Sequence, residues 1–158
     1  MFDAARPEFA WARDELAALL TPEELAVAAR NTLNAHYTGA DLTQAIWDGV
    51  RQLGFTGGQV LEPGSGSGNF IGFAPEGAQV TGVELDPITA AIAATLYPDA
   101  RILNESFADT RAPEDSYDLT IGNVPFGAIR LNDRRHSRGG HSIHNHFIIK
   151  SLHLTCPS

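Results

Sequence analysis

The stretch that decides the fold is "VLEPGSGSGNF", residues 60–70. Val60 and Leu61 close a short apolar run, "QVLEP" (59–63), that reads as a β-strand. An acid, Glu62, and a proline, Pro63, end it. Gly64, Gly66 and Gly68 then follow at every second position. Without a Cβ, these residues let the backbone turn tightly and come close to a ligand. A helix after such a loop aims its first amides at that ligand. The spacing is not the G-x-G-x-x-G of dinucleotide-binding sheets, because position 69 is Asn. By itself the loop is also compatible with an ordinary strand-to-helix turn.

Downstream, the pattern repeats. "QVTGVEL" (79–85) is a second strand, with a helix expected over 87–97. "ARIL" (100–103) is a third strand, "YDLTIG" (117–122) a fourth, and "HFIIKSLHL" (146–154) a closing helix. Strands that alternate with helices make an α/β fold with a mostly parallel sheet in three layers. Ligands then sit at the carboxyl ends of the strands. Upstream, helices are expected over 8–20, from Thr21, and over 40–53. Thr21, Pro22 and Glu24 carry the capping signals of the second. Residues 1–33 therefore read as an N-terminal helical segment and 34–158 as the α/β domain.

The bulk numbers narrow the function classes. The chain has 158 residues, 43% hydrophobic and 19% charged, which suits a folded domain. No apolar run reaches the ~18 residues of a membrane span, so no membrane partner is expected. The N-terminus mixes acids into its apolar residues, unlike a secretory signal. The single Cys156 excludes an internal disulfide and fits a cytoplasmic setting. The net charge is −8 but unevenly spread: residues 1–129 hold 18 acids against 6 arginines, while residues 130–158 carry a balance of +4. Five of the six histidines fall between 136 and 153. "HSIHNH" lacks a nearby Cys or acid at ligand spacing, so no metal site is expected and a polar loop is favoured.

One further segment needs a chemical reason. "TIGNVPFG" (120–127) ends a strand with an amide, Asn123, then Val124, a rigid Pro125 and an aromatic Phe126. Glu84, twenty residues after Gly64, closes the second strand where an acid would bind ribose hydroxyls.

Together these segments resemble S-adenosylmethionine-dependent methyltransferases. "VLEPGSGSGNF" is similar to their first motif and "GVELDP" to their second. "IGNVPFG" resembles the N-P-P-Y/F signature of amino-methyltransferases, especially the adenine-specific (N6) DNA enzymes. "NAHYT" (34–38), lying before the glycine loop, gives the gamma-like order of motifs. The resemblance spans roughly residues 31–155 and is nearest to methylase domains of large phage- and plasmid-type bacterial proteins.

It implies a Rossmann-like S-adenosylmethionine-dependent methyltransferase fold, with Glu62, Gly64, Gly66 and Gly68 at the methionine end of the cofactor. Glu84 would take the ribose and Leu85 the adenine ring, and Tyr37 and Thr38 would close over it. Phe107 belongs to the third cofactor motif, where Ser106 stands in place of the usual acid. Asn123 and the Val124 carbonyl would hold the exocyclic amine of an adenine, on a turn fixed by Pro125, with Phe126 stacked on the base. Val124 replaces the family's first proline, which removes rigidity and keeps the acceptor. The partner implied is DNA, with Arg130, Arg134 and Arg135 as expected phosphate contacts.

Compared with that family, the chain lacks the last strands and a target-recognition domain, so an incomplete sheet is expected, completed by a missing C-terminal domain or a partner subunit. Methyl transfer to a protein glutamine amide or to RNA remains an alternative. So does a DNA-binding or accessory module without turnover. A nicotinamide oxidoreductase shares Glu84 but has no use for "NVPF".

Overall fold

The computed structural model describes residues 6–34, 38–137 and 139–156. The chain divides into two compact units, Met1–His36 and Tyr37–Ser158. The N-terminal unit has a 3-10 turn, Pro7–Phe9, followed by α1 (Ala10–Leu19) and α2 (Pro22–Asn34). The start of α2 is capped as its sequence predicts. The Thr21 amide donates to Glu24 Oε2 at 2.8 Å, and the Glu24 amide donates back to Thr21 Oγ1 at 3.3 Å.

In the second unit, α3 (Ala40–Gln52) precedes β1 (Gly58–Pro63), the one-turn α4 (Asn69–Gly72) and β2 (Ala78–Glu84). Next come α5 (Pro87–Leu96), β3 (Arg101–Asn104), β4 (Leu119–Thr120) and α6 (Ile143–Leu154). The strands form one parallel sheet in the order β3-β2-β1-β4.

Successive strand residues point to opposite faces, and both faces are apolar. Val60 and Val80 pack on one side with Trp47 of α3 and Phe70 and Ile71 of α4. Leu61 and Val83 pack on the other with Phe107, Tyr117, and Phe147 and Leu154 of α6. Layers of helix, sheet and helix follow directly from that two-sided burial. The Trp47 indole N–H donates to the Phe70 carbonyl at 2.9 Å, which ties α3 to the turn after the glycine loop. Asp86 caps α5 by accepting from the Thr89 amide at 2.8 Å.

Two elements are short, and one of them is shorter than its sequence suggests. The helix after the glycine loop lasts one turn, because Pro75 and the left-handed Gly77 (φ +87°) lie just beyond it. The fourth strand pairs only over Leu119–Thr120 rather than 117–122. Tyr117 instead bridges to Thr155, and Gly122 (φ +149°) bends the chain out of the sheet. Among the described residues, no helix is long and apolar enough to cross a membrane.

Candidate active site

The parallel order brings the ends of β1, β2 and β4 to the same edge of the sheet. There the glycine loop folds back onto β2. The amides of Gly64 and Ser65 both donate to the Val83 carbonyl, at 2.8 and 2.9 Å. Gly64, Gly66 and Gly68 all have positive φ, from +56° to +90°. Gly68 has a packing reason as well: a Cβ there would lie 2.6 Å from the Tyr97 ring. Gly82, in β2, leaves room for Ser65, whose Oγ would sit 2.9 Å from an added Cβ.

Glu84 holds this edge together. One carboxylate oxygen accepts from the Gly66 amide and the other from the Asp86 amide, each at 2.8 Å. The next residue, Leu85, is an apolar side chain left 70% exposed. Asn104, which the sequence does not mark, donates to the carbonyls of Glu84 and Leu85 at 2.9 and 3.1 Å. Its only sequence signal is its place at the head of "NESFAD".

Glu62 is buried at the base of the loop. Burial, with Glu84 nearby, pushes its carboxyl up to about 8, against an opposing hydrogen bond from the Phe70 backbone. Its Oε2 is fully enclosed and has no protein partner. A buried carboxyl oxygen that lacks a donor suits a cationic ligand. An acid at the end of β2, three left-handed glycines and this orphaned oxygen fit a nucleoside with an ammonium and a sulfonium, that is, S-adenosylmethionine.

The Asn-Pro-aromatic turn lies against the same loop. A Cβ at Gly64 would lie 3.8 Å from Pro125 Cδ and 3.6 Å from the Phe147 ring. One at Gly122 would lie 3.4 Å from Glu62 Cγ. Asn123 is exposed, Val124 and Pro125 are half-buried, and Phe126 is 74% exposed. His144, at the start of α6, stands 6.1 Å from Phe126, ring centroid to ring centroid.

From the upstream motif, the Thr38 carbonyl accepts from Asn69 Nδ2 at 2.7 Å, which brings that segment to the glycine loop. Tyr37 lies outside the described residues. Phe107 belongs to the third of the expected cofactor motifs. Its ring is buried in the core, 4.8 Å from Phe147, so its side chain serves packing.

The histidine-rich segment is also more than a polar loop. Asp133, His136, His146 and Lys150 are all buried. Asp133 Oδ2 accepts from His136 Nδ1 and His146 Nε2, both at 3.0 Å, and from Lys150 Nζ at 3.3 Å. Lys150 also donates to the carbonyls of Phe107 and Ala108. Burial opposes ionisation of Asp133, yet the bonds from His146 and His136 hold it well below the usual carboxylate range. Burial pushes Lys150 and His136 down. The available signal was His146 and Lys150 at i, i+4 on one helix face. Among the described residues, no three His, Cys, Asp or Glu groups could hold a metal ion.

No family model matches the chain. A Listeria monocytogenes protein assigned to the class I S-adenosylmethionine-dependent methyltransferases superposes with a TM-score of 0.63 at 17% identity, over 85% of this chain and 49% of that one. A second protein so assigned, from Methanococcus maripaludis, gives 0.54 at 13% identity over 74% and 52%. The fold is that of the S-adenosylmethionine-dependent methyltransferases. A Pyrococcus horikoshii protein assigned as an RNA methyltransferase shares this methyltransferase fold, with a TM-score of 0.51 at 16% identity over 73% and 55%. In sequence, 98 residues are 30% identical to the "Defense against restriction protein B" of Escherichia phage P1. That match takes in 61% of this chain and 4% of the phage protein. The chain thus spans about half of the solved relatives and a small part of the phage one.

Proposed function

We propose that this chain is a methyl-transfer module that binds S-adenosylmethionine and methylates the exocyclic amine of adenine in DNA. The observation that carries the reading is the contact between two loops: the glycine loop with its orphaned Glu62 oxygen, and the Asn123–Phe126 turn packed against Gly64.

The cofactor supplies an electrophilic methyl group on a cationic sulfur. This chain's residues supply position and charge. Glu84, and Glu62 once a cationic ligand favours its ionised form, set a negative field at the base of the pocket. The adenine amine is a weak nucleophile because its lone pair is spread into the ring. Acceptors at the Asn123 side-chain oxygen and the Val124 carbonyl would each take one N–H, drawing the nitrogen toward tetrahedral and aiming its lone pair. No strong base is needed, and alignment with electrostatics carries the rate. Phe126, held out in solvent by Pro125, offers its face to a base taken out of the duplex. The phage relative is named for defence against restriction, and base methylation alters the DNA that a restriction enzyme reads.

Calorimetry with S-adenosylmethionine on the wild type and on Gly66→Val tests the cofactor assignment. A β-branched residue is strained at φ +56°, so saturable binding should be lost in the variant while the fold, followed by circular dichroism, persists. Transfer of labelled methyl to DNA, RNA and protein then tests the substrate. Label entering only RNA or a glutamine amide would overturn the adenine assignment.

A further inference from the structure

The first turn of α6 is fastened to the Asn123–Phe126 turn and its surroundings at several points. The Ile143 amide donates to the Ile129 carbonyl at 2.9 Å, just past that turn. Val124 and Ile143 both pack on the apolar cluster that holds Phe147. Phe147 and Pro125 in turn meet the glycine loop at Gly64, within 3.6 and 3.8 Å of an added Cβ. His144 lies three residues before Phe147, on the same helix face. Its ring centroid is 6.1 Å from that of Phe126, with 35° between the planes. The imidazole is therefore a direct neighbour of the ring on which the target base would stack.

That imidazole is held by one nitrogen and left unpaired at the other. Ser142 is the N-cap residue of α6, yet it makes no side-chain cap bond. Its hydroxyl instead lies 3.1 Å from His144 Nε2. A cap hydroxyl turned onto a ring fixes the ring rather than the helix end. His144 Nδ1 is shut off from water and has no partner. Such an atom is costly unless a ligand completes it. When the Ser142 hydroxyl donates to Nε2, the hydrogen of the neutral ring lies on Nδ1, which is then a donor.

The chemistry of the base asks for that donor. Asn123 and the Val124 carbonyl offer acceptors for the two hydrogens of the amine. Beside that amine, adenine has bare ring nitrogens, N1 on one side and N7 on the other, and both accept hydrogen bonds. We infer that His144 contacts the base stacked on Phe126, its Nδ1 donating to a ring nitrogen next to the amine. The inference deepens the methyl-transfer reading and rests on it for the identity of the base. Phe126, 74% exposed, has room to turn and admit the edge of the base to Nδ1.

The test uses the full chain with S-adenosylmethionine and random-sequence single-stranded DNA pools whose adenines are ordinary, 1-deaza or 7-deaza. The deaza bases put C–H in place of N1 or N7 and keep the amine. Nitrogen-15 spectra of the imidazoles, with His144 assigned by its loss in His144→Phe, should show Nδ1 of His144 shifting on addition of the ordinary pool. One of the two deaza pools should fail to produce that shift. In methyl-transfer assays the wild type should show a KM several-fold higher for that deaza pool than for the ordinary one. His144→Phe keeps a ring and removes the donor, so it should lose the difference. His144→Asn returns a donor near the place of Nδ1 and should recover part of it. Calorimetry should give the same cofactor affinity in all three proteins, and circular dichroism checks each fold. A silent His144 Nδ1, equal KM for all pools in wild type, or a His144→Phe defect confined to cofactor affinity would overturn the inference. The two readings fail separately. A chain that binds S-adenosylmethionine and methylates DNA with His144 silent refutes the role of His144 alone. A His144 that responds to adenine in a chain that binds no cofactor refutes the methyl-transfer reading alone.

Discussion

A carboxyl group shut away from water with one oxygen unpaired is costly to keep, and Glu62 is such a group. Its pKa of about 8 in the folded chain, against an ordinary 4.5, fixes a sign. Between those values the folded state holds a proton that the unfolded state has lost. Stability should therefore fall as pH rises from about 4.5 to 8, and Glu62→Gln should flatten that part of the curve in denaturant titrations at stepped pH. A cationic ligand at Glu62 would favour the ionised form. Calorimetry in buffers of different ionisation enthalpy should then show a proton released on cofactor binding near pH 7 in wild type and none in Glu62→Gln. At Asn123 the expectation is different. Asn123→Ala removes an acceptor needed mainly in the transition state, so it should lower the methyl-transfer rate by about 10²–10³-fold and leave cofactor affinity intact. Phe126→Ala should weaken binding of the target base by about 1–3 kcal/mol, read as a rise in KM for DNA.

At the scale of elements, the buried ion cluster sets how α6 is held. Asp133→Asn keeps the shape but removes the charge that faces Lys150. Breaking a buried pair in this way costs about 3–5 kcal/mol, and thermal unfolding should show it. Because hydrogen bonding holds the Asp133 carboxyl below its usual range, its stabilisation is present above the unfolded value of about 3.8 and is lost as pH falls below it. The stability of Asp133→Asn, read in denaturant titrations at stepped pH, should accordingly depend less on pH below about 3.8 than that of wild type. This cluster was hard to read from the chain. Asp133, His136, His146 and Lys150 carry no apolar periodicity, and only tertiary packing brings them together from a loop and a helix. The glycine loop, the capping box of α2 and the apolar run holding Val60 and Leu61 were legible because each depends on near neighbours. The burial of Phe107 depends on the same kind of long-range packing. Its motif position speaks of a ligand, while its burial is decided by Phe147, forty residues on.

At the scale of the whole molecule, the two-faced burial of a parallel sheet was visible in the apolar runs, and proteins only 13–17% identical share the same fold. The lengths of α4 and β4 were not visible, since Gly77 and Gly122 act through the torsions they adopt. The uneven charge was legible as a number, but the approach of Arg111, from the acidic part of the sequence, to Arg134 and Arg135 was not, because it exists only in space.

Glu84 has a consequence for motion rather than for affinity. Its two oxygens latch the glycine loop and the start of α5 to one side chain. A ligand hydroxyl arriving there meets a carboxylate whose position both segments already share. A tug on one segment is then passed to the other within a single bond length of play. In Glu84→Gln one of the two latches becomes a clash of donors. The Gly66 and Asp86 amides should exchange with deuterium at similar rates in the native chain and at different rates in Glu84→Gln.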